Sequence, residues 1–276
     1  METTRCGCTL EKMPRFYRWL LPLLWTIVIL SAVFSLLIFV IPLESFQYYG
    51  NVFETIMPVF CLVCCLYAYR TISSRVCLLL AAFAFMSYAF SNAYWYNFSI
   101  ILGRPVVYIS VAELGFFSFF LFLIAMIVIG FPDEGMAIPA ATGLFLLYLV
   151  FPLTYVFSGE DFLPVHFVLF FVRVILLEQL IAAAIRHGVF RYPLLWAGIC
   201  LNCMASLLYG LRETIFTSFP VPLFPGTSVT NPLNVNEFLS IVGPMSTASF
   251  ALILAGLLLY IVKAEKPEEQ RESASS

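Results

Sequence analysis

A few charged and amide side chains lie inside long apolar stretches of the sequence. A charged side chain is unfavourable in the lipid interior, so such residues normally face other helices or a water-filled cavity and mark a functional site by default. The candidate ligand-binding residues are Glu54, Asn92, Glu113, Arg173, Asn202 and Arg212. Their positions predict a polar pocket in the outer half of a membrane domain. The alternative is a structural ion pair that fixes helix packing, and both interpretations stay open.

Arg173 lies near the middle of its apolar stretch and needs a partner. Glu178 is five positions further on, which is about 140° away around an α-helix. No carboxylate stands three or four positions from Arg173, where a helical neighbour would lie. We therefore expect Arg173 to contact a carboxylate on another helix, either Glu54 or Glu113.

Glu113 also fits a purely structural role. The stretch Ser110-Val-Ala-Glu113 has the Ser-x-x-Glu spacing of a capping box, in which the two side chains satisfy free backbone N–H groups at a helix start. A helix should therefore begin at this point. A capping carboxylate at a helix end can also face a pocket, so the two roles are compatible.

The composition sets the surroundings of these residues. Of the 276 residues, 62% are hydrophobic and only 11% are charged, and the mean hydropathy is +0.98. A soluble domain usually has about a quarter of its residues charged. Repeated apolar runs of about twenty residues predict an all-α, polytopic membrane protein with about eight transmembrane helices. The predicted spans are residues 16–42, 48–70, 76–101, 109–131, 136–157, 163–186, 192–216 and 237–262.

The basic residues predict the orientation of the chain. Of the 14 Lys and Arg residues, 11 fall on the side of the N-terminus, Arg104 and Arg212 fall on the other side, and Arg173 falls within a span. The positive-inside rule then places both termini in the cytoplasm of a multi-pass cell-membrane protein. The predicted organisation is a cytoplasmic N-terminal segment (1–15), an eight-helix membrane domain (16–263) and a disordered cytoplasmic tail (264–276).

The sequence lacks the usual hydrolase and nucleotide-binding signatures. The P-loop, H-E-x-x-H and G-x-S-x-G patterns are missing from it. Its two Cys-x-x-Cys pairs lie in apolar helices, where cysteine behaves as a small hydrophobe. We predict no catalytic residue, no metal and no cofactor. With a net charge of −2 and no basic stripe, nucleic acid is not an expected partner. The expected partners are the lipid bilayer and a separate signalling protein or a small ligand.

The segment "NAYWYNFSIILGRPVVYISVAELGFFSF" carries a family resemblance. It resembles the polytopic membrane sensor regions found N-terminal to GGDEF (diguanylate cyclase) or histidine-kinase domains in prokaryotes. In those regions an aromatic-rich helix end and a Leu-Gly turn lead into a Pro-Ser-x-Ala-Asp-x-x-Tyr motif. Leu102 and Gly103 match the turn, and Ser110 and Ala112 match the motif. Departures occur at three positions, with Ile109 in place of Pro, Glu113 in place of Asp and Phe116 in place of Tyr.

Three functions follow as hypotheses. The resemblance implies a stand-alone sensory or receptor-type module with an outward-facing polar pocket. A small-molecule or ion carrier is the alternative, and it should show polar groups continuing to the cytoplasmic face, where the sequence has few. An intramembrane enzyme of exosortase-like type is the third, with Cys203 and Arg212 as the nearest match to the residues of that family.

Overall fold

The computed structural model describes residues 15–37, 46–73, 75–97, 111–135, 164–211 and 235–275. Seven α-helices and one short 3-10 helix fall within these ranges, and no strand does. The α-helices are α1 (Arg15–Leu37), α2 (Phe46–Thr71), α3 (Val76–Tyr96), α4 (Val111–Gly130), α5 (Pro164–Arg186), α6 (Pro193–Leu211) and α7 (Val235–Ser275), and the 3-10 helix is Val189–Arg191. The predicted span 136–157 lies outside the described residues.

Five helical segments are long and apolar enough to cross a membrane. They are Phe53–Thr71, Val76–Tyr96, Val111–Gly130, Pro193–Gly210 and Val242–Ala264. The prediction of an all-helical membrane protein is therefore confirmed for the described part of the chain. The count of eight spans and the cytoplasmic position of the termini stay predictions.

Helix α7 is the centre of the bundle. It packs against α1, α2 and α6, and 78% of its segment Val242–Ala264 is buried, against 33–50% for the other four apolar segments. Its contact with α6 depends on glycine: a Cβ atom on Gly256 would lie 2.4 Å from the backbone nitrogen of Leu195, and one on Gly198 would lie 2.7 Å from that of Ile253. Without a hydrophobic effect between helices in lipid, such close backbone approach through small residues is a main source of helix association.

The helix ends that carry Arg70, Arg75, Arg186 and Arg191 gather on one side of the bundle, which we call the basic end. The C-termini of α2, α4, α5 and α7 lie there together with the N-termini of α3 and α6. Tyr260 of α7 donates a hydrogen bond to the carbonyl oxygen of Gly130 at the end of α4, over 2.7 Å. A Cβ atom on Gly130 would in turn lie 2.7 Å from that of Cys77 at the start of α3.

Two ion pairs at the basic end join the end of α4 to the turn between α5 and α6. Arg186 contacts Asp133 over 2.7 Å, and Arg191 contacts Glu134 over 2.6 Å. Gly188 occupies the left-handed region (φ +65°) that this turn requires, and a Cβ atom there would also meet the Glu134 carboxylate. Hydrogen bonds from Arg186 lower the pKa of Asp133 to about 2. The turn is therefore held by charge as well as by packing.

Helix α7 continues through residues 264–275, the segment for which the sequence predicts a disordered tail. The segment contains Glu, Lys, Gln and Arg, which are good helix formers, but also Pro267, which is unfavourable in a helix interior by about 3 kcal/mol. The division into a cytoplasmic N-terminal segment, a membrane domain and a cytoplasmic tail stays a prediction.

Candidate functional site

A cavity of about 50 Å³ lies in the half of the bundle opposite the basic end. Its wall comes from the N-terminal halves of α2, α4, α5 and α7 and the C-terminal halves of α3 and α6. Four of the residues singled out from the sequence line this one cavity: Glu54, Asn92, Arg173 and Asn202. The polar groups that were scattered along 149 positions of the chain are thus brought together by four different helices.

Glu54 on α2 is held by a phenol from α3. Tyr88 donates a hydrogen bond to its carboxylate oxygen Oε1, and Ser246 of α7 lines the cavity beside them. The Tyr88 ring is fixed by edge-on contacts with Phe116, at 5.0 Å between ring centroids, and with Phe250, at 4.7 Å. The hydrogen bond from Tyr88 therefore fixes the position of the Glu54 carboxylate.

Arg173 on α5 is 4% exposed. One guanidinium nitrogen donates a long hydrogen bond, 3.4 Å, to the carbonyl oxygen of Ser206, and the guanidinium carbon lies 4.9 Å from the centroid of the Tyr209 ring. The ion pairs among the described residues are the two at the basic end. Arg173 thus lies within ion-pair distance of neither Glu54 nor Glu113, and the direct contact expected from the sequence is not formed.

The two amides at the site differ in how fully they are bonded. Asn92 donates from Nδ2 to the Thr55 hydroxyl over 2.9 Å. Asn202 donates from Nδ2 to the Ser249 hydroxyl, also over 2.9 Å, and that hydroxyl donates onward to the carbonyl oxygen of Ser246 over 2.7 Å. The Oδ1 atom of Asn202 is buried and has no hydrogen-bond partner. Nearly all buried polar atoms are bonded in folded proteins, so this buried acceptor is an exception.

An aromatic layer closes the cavity on the side of the basic end. It consists of Tyr88, Phe85, Phe119 and Phe250, and the last three are fully buried. The ring centroids of Phe85, Phe119 and Phe250 are 5.8–6.4 Å apart. Below this layer the described core is mostly apolar, with Leu78 and Leu180 among its fully buried side chains. His187 is also buried on that side, with Nδ1 at 2.9 Å from the carbonyl oxygen of Phe131, but no buried charged side chain lies there among the described residues.

One of the predicted site residues, Glu113, is not part of the cavity wall, and another lies outside the described residues. Glu113 is buried in the first turn of α4, where the capping pattern places it, but it does not line the cavity. Ser110, its predicted partner in the cap, and Arg212 lie outside the described residues. The start of α4 at Val111 agrees with the expected helix start.

Sequence reasoning missed several wall residues, above all Tyr88, Trp95, Ser206, Tyr209 and Ser246. Some signal was present. Tyr88 stands four positions before Asn92 and Ser206 stands four after Asn202, so each shares a helix face with a residue that was singled out. Tyrosine and serine are common in membrane helices. Tyr88 and Ser206 differ from the others only in their contacts with Glu54 and Arg173, which the sequence does not show.

The cysteines of the described part are free thiols: Cys61, Cys64, Cys65 and Cys77 are buried, and Cys200 and Cys203 are half-buried. The Cys61 thiol lies 3.8 Å from the carbonyl oxygen of Phe250. Within the described ranges no three His, Cys, Asp or Glu side chains group closely enough to hold a metal ion. The cavity wall carries opposite charges, amides and aromatic rings.

Comparison of the chain with known protein families, with curated proteins and with solved structures finds no match.

Proposed function

We propose that this protein is a receptor-type membrane module that binds a small polar ligand in the cavity near the outer side of the bilayer. The observation that carries the proposal is the convergence of Glu54, Asn92, Arg173 and Asn202 on one cavity. Groups of this kind are unfavourable in lipid unless they are paired or solvated. Here the cation and the carboxylate face a shared space without pairing to each other.

A purely structural role fits these contacts less well. A structural ion pair requires close approach and further hydrogen bonds to offset the desolvation of both charges. Arg173 has five N–H donors, of which one makes the long bond to Ser206. The buried Oδ1 atom of Asn202, which has no hydrogen-bond partner, is also unfavourable in a core that serves packing alone. Both features favour a ligand that completes the hydrogen bonding.

The resemblance to prokaryotic sensor regions supports the same function. Phe116, which stands where the motif of those regions has Tyr, lines the cavity, as do Asn92 and Trp95 from the aromatic-rich helix end that precedes the motif. The segment that carries the resemblance therefore contributes two helices of the cavity wall, α3 and α4.

The response to the ligand would reach the basic end through α5. This helix carries Arg173 in the cavity wall and Arg186 at its end, 13 positions further on, which is about 20 Å along the helix axis. Arg186 holds Asp133 at the end of α4. A ligand that draws Arg173 toward the cavity changes the equilibrium between two positions of α5, and a separate signalling protein at the basic end can detect the change.

A carrier would need the polar path to continue past the middle of the membrane. The aromatic layer of Tyr88, Phe85, Phe119 and Phe250 blocks that path in this conformation. The receptor is therefore preferred over the carrier, although both would use the same residues for recognition.

Labelling of the cavity from each side of the membrane tests the proposal. Trp95 lines the cavity close to the C-terminal end of α3, and Trp95→Cys opens space for a small charged methanethiosulfonate that does not cross membranes. We expect reaction with reagent added to the outside of intact cells and no reaction in inside-out vesicles. Ala84→Cys on the same helix is the matched control, because Ala84 is fully buried on the side of the basic end and should react from neither side.

Reaction of Trp95→Cys from both sides would favour the carrier. Reaction from neither side would identify a sealed polar core and end the receptor proposal. Reaction only from inside would reverse the orientation that the basic residues predict.

A further inference from the structure

We infer that the ligand is a small zwitterion of α-amino-acid size, whose carboxylate binds Arg173 and whose ammonium group binds Glu54. This rests on the proposed function, because it names the ligand of the same cavity. The inference comes from the two opposite charges of the cavity wall, the aromatic rings beside Glu54 and the size of the cavity.

Arg173 provides the carboxylate site. Its guanidinium is stacked on the Tyr209 ring at 4.9 Å and uses one N–H for the Ser206 carbonyl oxygen, so the remaining donors face no described acceptor. A guanidinium donates two parallel hydrogen bonds to a carboxylate, which gives both strength and orientation. The Tyr209 ring and the Ser206 carbonyl group hold the guanidinium in place and leave two of its N–H donors available for a carboxylate.

Glu54 provides the ammonium site. Tyr88 directs one carboxylate oxygen, and the aromatic rings of Tyr88, Trp95 and Phe116 line the adjoining wall. Aromatic faces attract cations, and ammonium ligands are commonly bound where rings and a carboxylate meet. An ammonium group has three N–H donors, and a carboxylate can accept from several donors at once.

The size of the cavity limits the ligand. A water molecule needs about 10–15 Å³ of such space, so a cavity of about 50 Å³ holds roughly three to five waters. Glycine has five non-hydrogen atoms and falls in this range. A zwitterion also leaves the net charge of the buried site unchanged, since each of its charges meets one opposite charge of the wall. A simple anion or a simple amine would leave one wall charge unpaired, which is unfavourable in a buried site.

A three-compound titration tests the ligand class. Full-length protein in lipid nanodiscs is titrated by calorimetry with glycine, acetate and methylammonium, which carry both charges, the negative charge alone and the positive charge alone. We expect glycine to bind with a Kd no tighter than about micromolar, because a ligand of this size has few contacts. Acetate and methylammonium should each bind roughly 30-fold more weakly or worse, since one buried charge pair is missing.

Charge-removing variants of the wall abolish this preference. Glu54→Gln should weaken glycine binding roughly 30-fold, so that glycine binds no more tightly than acetate. Arg173→Gln should weaken it by a similar factor, so that glycine binds no more tightly than methylammonium. Glu178→Gln is the control, because Glu178 is on the same helix as Arg173 but does not line the cavity. A loss of folding would not imitate this result, since it would abolish binding of all three compounds.

Acetate binding as tight as glycine would overturn the inference in favour of an anion site, and methylammonium binding as tight as glycine would overturn it in favour of an amine site. If none of the three binds to the unchanged protein, the zwitterion is wrong. The receptor proposal would then still be decided separately by one-sided labelling of Trp95→Cys. The comparison of the three compounds on unchanged protein is sufficient for each of these outcomes, so the inference does not depend on any variant folding.

Discussion

The stability of an Arg173→Leu variant distinguishes between two roles of Arg173, ligand binding and stabilisation of the fold. Arg173 is 4% exposed, and its guanidinium lies 3.4 Å from the Ser206 carbonyl oxygen and 4.9 Å from the centroid of the Tyr209 ring. Neither of these partners is charged. We expect Arg173→Leu to change the free energy of unfolding by less than about 1 kcal/mol in either direction.

The magnitude follows from terms of opposite sign. The substitution removes a hydrogen bond from a charged donor, about 1.5 kcal/mol at the low end because the bond is long, and a cation–π contact of about 0.5–2 kcal/mol. It also removes a charge from the membrane interior, where insertion scales assign a penalty of about 2.5–3.5 kcal/mol. The terms nearly cancel. Had Arg173 formed the buried ion pair expected from the sequence, its removal would destabilise the protein by about 3–5 kcal/mol.

Unfolding in lipid–detergent micelles measures this difference, with denaturing detergent as the variable and helical circular dichroism as the signal. The cycle compares Arg173→Leu, Glu54→Gln and the double variant, and Glu178→Gln serves as a control away from the cavity. Since the two charges do not touch, we expect a coupling energy below about 1 kcal/mol. A single-variant loss above about 3 kcal/mol, largely recovered in the double variant, would refute the reasoning and restore the structural ion pair.

Three further predictions concern other parts of the molecule. Gly256→Ala should destabilise the bundle by about 1–3 kcal/mol in the same unfolding assay, because the new Cβ atom would lie 2.4 Å from a backbone atom of α6. If the variant were as stable as the unchanged protein, α6 and α7 could separate freely and the prediction would be wrong. The hydrogen bonds from Arg186 depress the pKa of Asp133 from 3.8 to about 2. The stabilisation of the folded protein by these bonds should therefore be complete above pH about 4 and be lost as the pH falls toward 2. In unfolding measured against pH, Asp133→Asn should abolish this dependence. Ala replacements of Cys61 and Cys65 should reduce stability only through lost packing. This interpretation would be wrong if the purified protein contained stoichiometric metal and the variants did not.

The class of fold was readable from the sequence because the lipid interior demands long apolar helices with internally bonded backbones. The start of α4 and the bounds of α5 agree with the predicted spans within about two residues, since the apolar runs stop where polar and turn residues begin. From their distance to the helix ends, Glu54, Asn92, Arg173 and Asn202 were all predicted to lie in one half of the bundle, and all four line one cavity in the half opposite the basic end. The side of the membrane that this half faces stays a prediction.

The direction in which each side chain points was decided only by the tertiary structure. A helix in a soluble protein shows its buried face as an apolar stripe, but in lipid the outer face is as apolar as the core, so the rotation of each helix leaves little trace in the sequence. For this reason Glu113 and Glu54 were equal candidates as partners of Arg173, and the structure puts only Glu54 in the cavity. The packing also turned Arg173 toward Ser206 and Tyr209 instead of a carboxylate. Which residues exist at a given depth is a property of the chain, while which of them meet depends on how six helices rotate against one another when they pack.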